Sequence, residues 1–233
     1  MGAIYKREMK AYFSSAIGFV FLAVFLFYSG YLFVNVNIAG ATSSMSTYFS
    51  NMIFIYVLLI PILTMRLMSE DKKQKTDQIL LTSPVSLFGI VLGKFFAALT
   101  LYGIGLSVSA VFGLILATFA KVEGAEIVGN LVAMVLLGAG LIAVGIFISS
   151  LTESQVIAGV ASIFVMLLLF LINTFTSSTN ALLSAVASAV SITSHYTNFS
   201  NGIFNLGDAI FYFSMAAIFV FLTVRVLDKR RWG

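Results

Sequence analysis

The sequence predicts an all-α polytopic membrane protein with six transmembrane helices, and three observations predict it. Apolar residues fill 60% of the 233 positions and charged residues only 9%, with a mean hydropathy of +1.06, against about half and a quarter in a soluble domain. The apolar residues run in unbroken stretches of roughly twenty, the length that carries a helix across a bilayer, rather than alternating as barrel strands do. The basic residues gather in three segments that fall on one side of a six-span chain. Lipid accepts apolar side chains but not unpaired backbone groups, so a spanning chain must be helical or a closed barrel.

The elements follow in order. From Ala3 to Ser15, Ile4, Tyr5, Met9, Tyr12 and Phe13 share one helical face and Lys6, Arg7, Lys10 and Ser14 the other. This reads as an amphipathic helix lying in the headgroup layer, with Lys6, Arg7 and Lys10 toward anionic lipid. Spans are expected from about Ile17 to Ile38, Phe49 to Met68, Phe95 to Ala120, Ile127 to Ser149, Val156 to Ile172 and Ala209 to Leu227. The first is flanked like a cleaved leader, with basic residues before it and Ala39-Gly40-Ala41 after it. Its apolar run is longer than a leader's, so it is read as a retained span. Pro61 removes one backbone hydrogen bond from the second span and can kink it.

Orientation comes from the loops. Lys6, Arg7 and Lys10 precede the first span, Arg66, Lys72, Lys73, Lys75 and Lys94 surround the second connection, and Arg225, Lys229, Arg230 and Arg231 end the chain. These are twelve of the thirteen Lys and Arg residues, and Lys121 is the other. Basic residues near spans stay in the cytoplasm. Both termini are therefore expected there, and the formal net charge of +4 needs no nucleic-acid partner.

Two connections are long. Ser69 to Gly93 begins polar, from Glu70 to Gln78, and reads as a continuation of the second span supported by an Asp71–Lys75 pair. Ser83 before Pro84 is a helix start, a capping hydroxyl followed by a residue whose missing N–H costs nothing there. A short surface helix over 83–92 is expected before Lys94 and the third span. The other connection, Asn173 to Gly207, has no Lys, Arg, Asp or Glu. Its apolar piece, Ala181 to Val190, is too short to span and reads as re-entrant or interfacial.

Candidate chemistry is sparse. There is no cysteine and one histidine, His195, which removes thiolate chemistry and leaves no cluster of metal ligands. No span carries a charge at its centre, which argues against an ion-driven transporter or channel. There is no phosphate-binding glycine loop and no Ser/His/Asp set. No catalytic residue, metal or bound cofactor is expected on this chain, and any ATP would sit on another. Gly105, Ser109, Gly113 and Ala117, spaced by four, read as a packing seam within or between subunits. His195 reads as a hydrogen-bonded structural residue, Asp208 as the cap of the sixth span, and Glu153 as a cap of the fifth or a partner contact.

Three stretches together resemble the membrane subunit of an ABC-2-type transporter, the group that includes gliding-motility-type permeases. They are Tyr5-Lys6-Arg7-Glu8-Met9-Lys10-Ala11-Tyr12-Phe13; Leu80-Leu81-Thr82-Ser83-Pro84-Val85-Ser86 with Ile90-Val91-Leu92-Gly93-Lys94-Phe95; and Ser194-His195-Tyr196-Thr197-Asn198-Phe199-Ser200-Asn201-Gly202 with Asp208 and Tyr212. Where the family often has Gly-Thr-x-Glu, this chain has Lys75-Thr76-Asp77-Gln78. The resemblance implies a non-catalytic export permease in the cell membrane of a prokaryote. It implies pairing with a second, identical or related permease, and docking of a cytoplasmic ATP-binding subunit that carries ATP and Mg. It leaves room for an extracytoplasmic accessory protein. The helix from Ser83 to Leu92 would be the coupling helix, with Thr82, Ser83, Pro84, Val85, Ser86, Leu87 and Phe88 against the ATPase. His195, Phe199 and Asp208 would belong to the outer gate. A membrane scaffold that recruits an ATPase without moving a substrate is the reading from a different class.

Overall fold

The computed structural model describes residues 1–78, 85–120, 124–176, 187–200 and 202–232, and the elements among them are all helical. Helix α1 is Gly2–Ser14, ended by Ser15 in an extended conformation. Helix α2, Ala16–Leu32, runs on as a π-helix over Phe33–Ala39. Then come α3 (Ser46–Lys73), α4 (Leu87–Phe119), α5 (Gly124–Leu151), α6 (Gln155–Thr176), α7 (Ile192–Ser200) and α8 (Leu206–Trp232).

Six helical stretches are long and apolar enough to cross a membrane: Ala16–Ala39, Ser46–Lys73, Leu87–Phe119, Gly124–Leu151, Gln155–Ile172 and Leu206–Arg230. Each coincides with one of the six apolar runs. The clearest difference is at α4, whose 33 residues extend about 50 Å at 1.5 Å per residue. The hydroxyl of Ser86, not Ser83, caps it by accepting from the Gly89 N–H at 3.2 Å. Leu87 to Leu92, expected as a separate surface helix, are its opening turns. Nothing between Leu87 and Phe95 interrupts the ladder, since no proline follows Pro84 there. Thr82, Ser83 and Pro84 lie outside the described residues, as do positions 181–186 of the expected re-entrant piece.

Helices α3 and α5 form the centre. Helix α5 packs along α8, α3, α4 and α6; α3 also carries α6 and α2; and α1 rests on α4. The interior is filled with aromatic side chains. Phe25 stacks on Tyr56 with ring centroids 5.7 Å apart, and Tyr56 meets Tyr102 edge-on at 5.2 Å. Two of these phenols find polar partners, as most buried hydroxyls do, while the Tyr56 hydroxyl has none among the described residues. Tyr48 Oη lies 2.5 Å from Ser29 Oγ and 2.9 Å from Ser109 Oγ, and Tyr102 donates to the Met134 carbonyl at 2.9 Å.

Small residues set the close approaches. The first three residues of the stripe on α4 face the chain's own bundle, while Ala117 is exposed: a Cβ at Gly105 would lie 3.2 Å from the Phe25 ring, and one at Gly113 3.1 Å from Ile127. Ser109 holds Tyr48 between them. Beside Pro61 of α3, Thr64 donates to the Ile60 carbonyl at 3.0 Å, and a Cβ at Gly145 of α5 would come within 2.1 Å of its hydroxyl. Without a hydrophobic drive between helices in lipid, such contacts rest on close packing.

Candidate functional site

Charged side chains from three helices meet where α3 ends and α4 begins. On α1 the buried residues are Ile4, Glu8 and Tyr12, spaced by four, so one helical face carries a carboxylate between two apolar groups. That face lies on α4, where Gly93 admits it: a Cβ at Gly93 would sit 3.1 Å from Ile4. The next residue, Lys94, is only 1% exposed. Its ammonium reaches Glu8 Oε1 at 3.0 Å and Asp71 Oδ2 at 2.5 Å, and donates to the Leu67 carbonyl. Arg7 closes the ring, 2.6 Å from Glu8 and 3.0 Å from Asp71. Two cations and two carboxylates balance, which is the condition for burying charge at all. Burial alone would lower the Arg7 pKa, but the hydrogen bond to Glu8 and the charges of Asp71 and Glu8 outweigh it and hold it above the ordinary guanidinium value.

The ring ties down both stems of the connection between α3 and α4. Asp71 lies in the last turn of α3, and Thr76, already past that helix, donates to its Oδ1 at 2.9 Å. Lys75 takes a left-handed φ of +56°, at the position where the resembling family often has glycine. Upstream, Arg66 pairs with Glu70 at 3.0 Å and donates to Ser15 Oγ at 2.7 Å, and Tyr12 donates to the Leu63 carbonyl at 2.9 Å. At the emergence of α4, Phe88 is 54% exposed and Leu87 and Val85 are half-buried.

Several sequence expectations change here. Asp71 pairs with Lys94 and Arg7, not with Lys75, because Lys75 leaves the helix. The apolar stripe of α1 faces the bundle rather than lipid: Ile4 and Tyr12 are buried, Tyr5 and Met9 half-buried, and Phe13 is exposed. The cations on its polar face, Lys6, Arg7 and Lys10, are all exposed, and Arg7 also pairs with the ring carboxylates. Glu8 and Lys94 were not singled out from sequence. The signals were there: one acid on an otherwise apolar face, and one lysine inside an apolar run.

At the opposite end of the bundle a second polar cluster forms. Asp208 accepts from Asn198 Nδ2 at 2.7 Å and pairs with His195 Nδ1 at 2.7 Å, while the imidazole stacks on Phe211 with centroids 3.9 Å apart. Asn205, not Asp208, caps α8, accepting from the Gly207 N–H at 2.9 Å. Phe199 is fully buried. Glu126 Oε1, in the first turn of α5, accepts from Ser44 Oγ at 2.6 Å, from Ser46 N at 2.9 Å and from Ser46 Oγ at 2.8 Å. That binds the start of α3 to the start of α5. At the other end of the molecule Glu153 meets Arg230 at 3.4 Å, and the start of α6 is served by Ser154, which accepts from Ile157 N at 3.4 Å. Among the described residues no group of three or more His, Cys, Asp or Glu gathers as a metal site would.

A family model described as ABC-2 family transporter protein matches residues 4–227. No curated protein matches the chain.

Proposed function

Because the chain belongs to the ABC-2 transporter family, we propose that it is the export permease of a complex driven by a separate ATP-binding subunit. It lies in the cell membrane of a prokaryote with both termini in the cytoplasm. It pairs with a second permease, and each permease docks one ATPase that carries ATP and Mg. Residues Thr82 to Phe88 form the contact with that ATPase.

One observation supports this reading above the others. The ring of Arg7, Glu8, Asp71 and Lys94 joins α1 to both stems of the connection that holds Thr82 to Phe88. A push on the connection is then received by α3 and α4 together, since breaking a buried ion pair costs about 3–5 kcal/mol. Helix α3 passes it to α5 along their glycine contact. The aromatic interior leaves the substrate a path along the face between two permeases rather than through one bundle. His195, Phe199 and Asp208 sit at the exit end, where α7 closes against α8.

Cross-linking tests the contact. The chain has no cysteine, so Val85→Cys and Phe88→Cys each place one thiol at the connection, and Phe204→Cys places one at the other end. In an active complex the first two are expected to cross-link to the ATP-binding subunit, with a yield that changes between ATP-bound and nucleotide-free states. Phe204→Cys is expected not to. Failure of both connection thiols in a complex that still hydrolyses ATP overturns the assignment. Hydrolysis stimulated by a transported substrate separates a permease from a scaffold.

A further inference from the structure

Beside the ring, a separate polar pocket of about 330 Å³ opens between the end of α3, the turn joining α5 to α6, and the end of α8. Its walls carry Lys72, Lys73, Lys75 and Arg230 against Asp77 and Glu153. Arg230 engages both carboxylates, Asp77 at 3.2 Å and Glu153 at 3.4 Å. Four cations against two carboxylates leave a surplus of two positive charges on the three lysines. Lys73 and Lys75 are exposed, but Lys72 is only 5% exposed, and its ammonium donates to the Ser150 carbonyl. Among the described residues it forms no ion pair. An ammonium has three donors, and the carboxylates that act on this one, Asp77 and Glu153, stand beyond ion-pair distance.

Depth says what kind of anion fits. Lys72 lies four residues past Met68, the last apolar residue of its span, and Arg230 three past Leu227. At 1.5 Å per residue these are about 6 and 4.5 Å beyond the hydrocarbon edge. The headgroup layer is roughly 5–7 Å thick on each face. The pocket therefore opens at the level of lipid phosphates, nearer the bilayer than a docked soluble subunit would sit.

We propose that this pocket binds the phosphate of an anionic phospholipid headgroup, with Lys72 as the buried donor and Lys73 and Lys75 at its mouth. The phosphate oxygens take up the free donors of Lys72 as charge-assisted hydrogen bonds. The bound lipid links the ends of α3, α5 and α8 from outside the ring. This site requires only that the six helices span a bilayer, so it stands or falls separately from the ATPase contact.

The test is native mass spectrometry of the purified chain, released from nanodiscs holding equal phosphatidylglycerol and phosphatidylcholine. Four proteins are compared: wild type, Lys72→Gln, the double variant Lys73→Gln/Lys75→Gln, and Lys6→Gln/Lys10→Gln as a control at the same end. Each basic residue near an anionic surface contributes about 1 kcal/mol. The wild type is expected to retain phosphatidylglycerol preferentially, Lys72→Gln to lose that preference about fivefold and the double variant about thirtyfold, and the control to keep it. Lys73 and Lys75 are exposed, so their double variant reports even if Lys72→Gln folds poorly. Unchanged retention in the double variant overturns the proposal. So does equal loss in the control, which would mean diffuse surface attraction. So does displacement of the lipid by millimolar inorganic phosphate, which would mean a site for free anions.

Discussion

Lys94 is 1% exposed, and two carboxylates and one carbonyl meet its three donors. Removing the ammonium leaves Glu8 and Asp71 sharing Arg7 alone, with one uncompensated negative charge. Lys94→Met is therefore expected to cost about 3–5 kcal/mol, read as a lower thermal midpoint of the detergent-solubilised protein. Adding Glu8→Gln restores the balance, since Arg7 and Asp71 remain paired at 3.0 Å. The double variant is expected to recover part of the loss, with a coupling energy of about 1–3 kcal/mol between the two positions. Additive losses would show that Lys94 and Glu8 act independently and would break the ring as a unit. The sequence displays both residues, but their pairing spans 86 positions. No local pattern carries a contact of that range.

At the scale of elements, what could be read from the chain was length, period and charge bias. The six apolar runs became helices because each is long, continuous and free of interior breakers apart from Pro61. The short surface helix over 83–92 did not separate because its described part has no break before Phe95. The stripe on α1 was legible as a stripe but not its direction. An amphipathic helix on a membrane protein can face lipid or protein, and Glu8 on the apolar face decides for protein because Lys94 of α4 meets it there, beside its own neighbour Arg7. Asp208 was legible as a helix-start residue. It serves His195 and Asn198 instead because Asn205, three positions earlier, reaches the free N–H first. The docking of α1 depends on Gly93, where Ile4 and the Met1 carbonyl come within 3.2 Å of any added Cβ. Gly93→Val is expected to destabilise by about 1–3 kcal/mol and to lift α1 off α4. Limited trypsin digestion then cuts at Lys6 and Lys10 well before the wild type is cut there. Equal cleavage rates would mean that α1 is not held by this contact.

For the whole molecule, the two ends of the bundle differ in kind, and the proposed orientation rests on that difference. One end holds twelve of the thirteen Lys and Arg residues, the buried ring and the lysine pocket. The other is held by hydrogen bonds among Glu126, Ser44, Ser46, His195, Asn198 and Asp208. Retaining basic residues on the cytoplasmic side is a rule about Lys and Arg near spans, not about net charge, so the uncharged length from Asn173 to Gly207 does not oppose it. The chain has no cysteine, so single thiols can report the side without altering any basic residue. Ser14→Cys and Gln74→Cys mark the basic end, and Thr42→Cys and Phe204→Cys the other; all four parent residues are exposed. A membrane-impermeant maleimide applied to intact cells is expected to label the Thr42 and Phe204 variants at once. The Ser14 and Gln74 variants are expected to label only after permeabilisation. The reverse pattern would put the ring and its connection outside the cell, away from any ATP, and a split within either pair would mean that six spans is the wrong count.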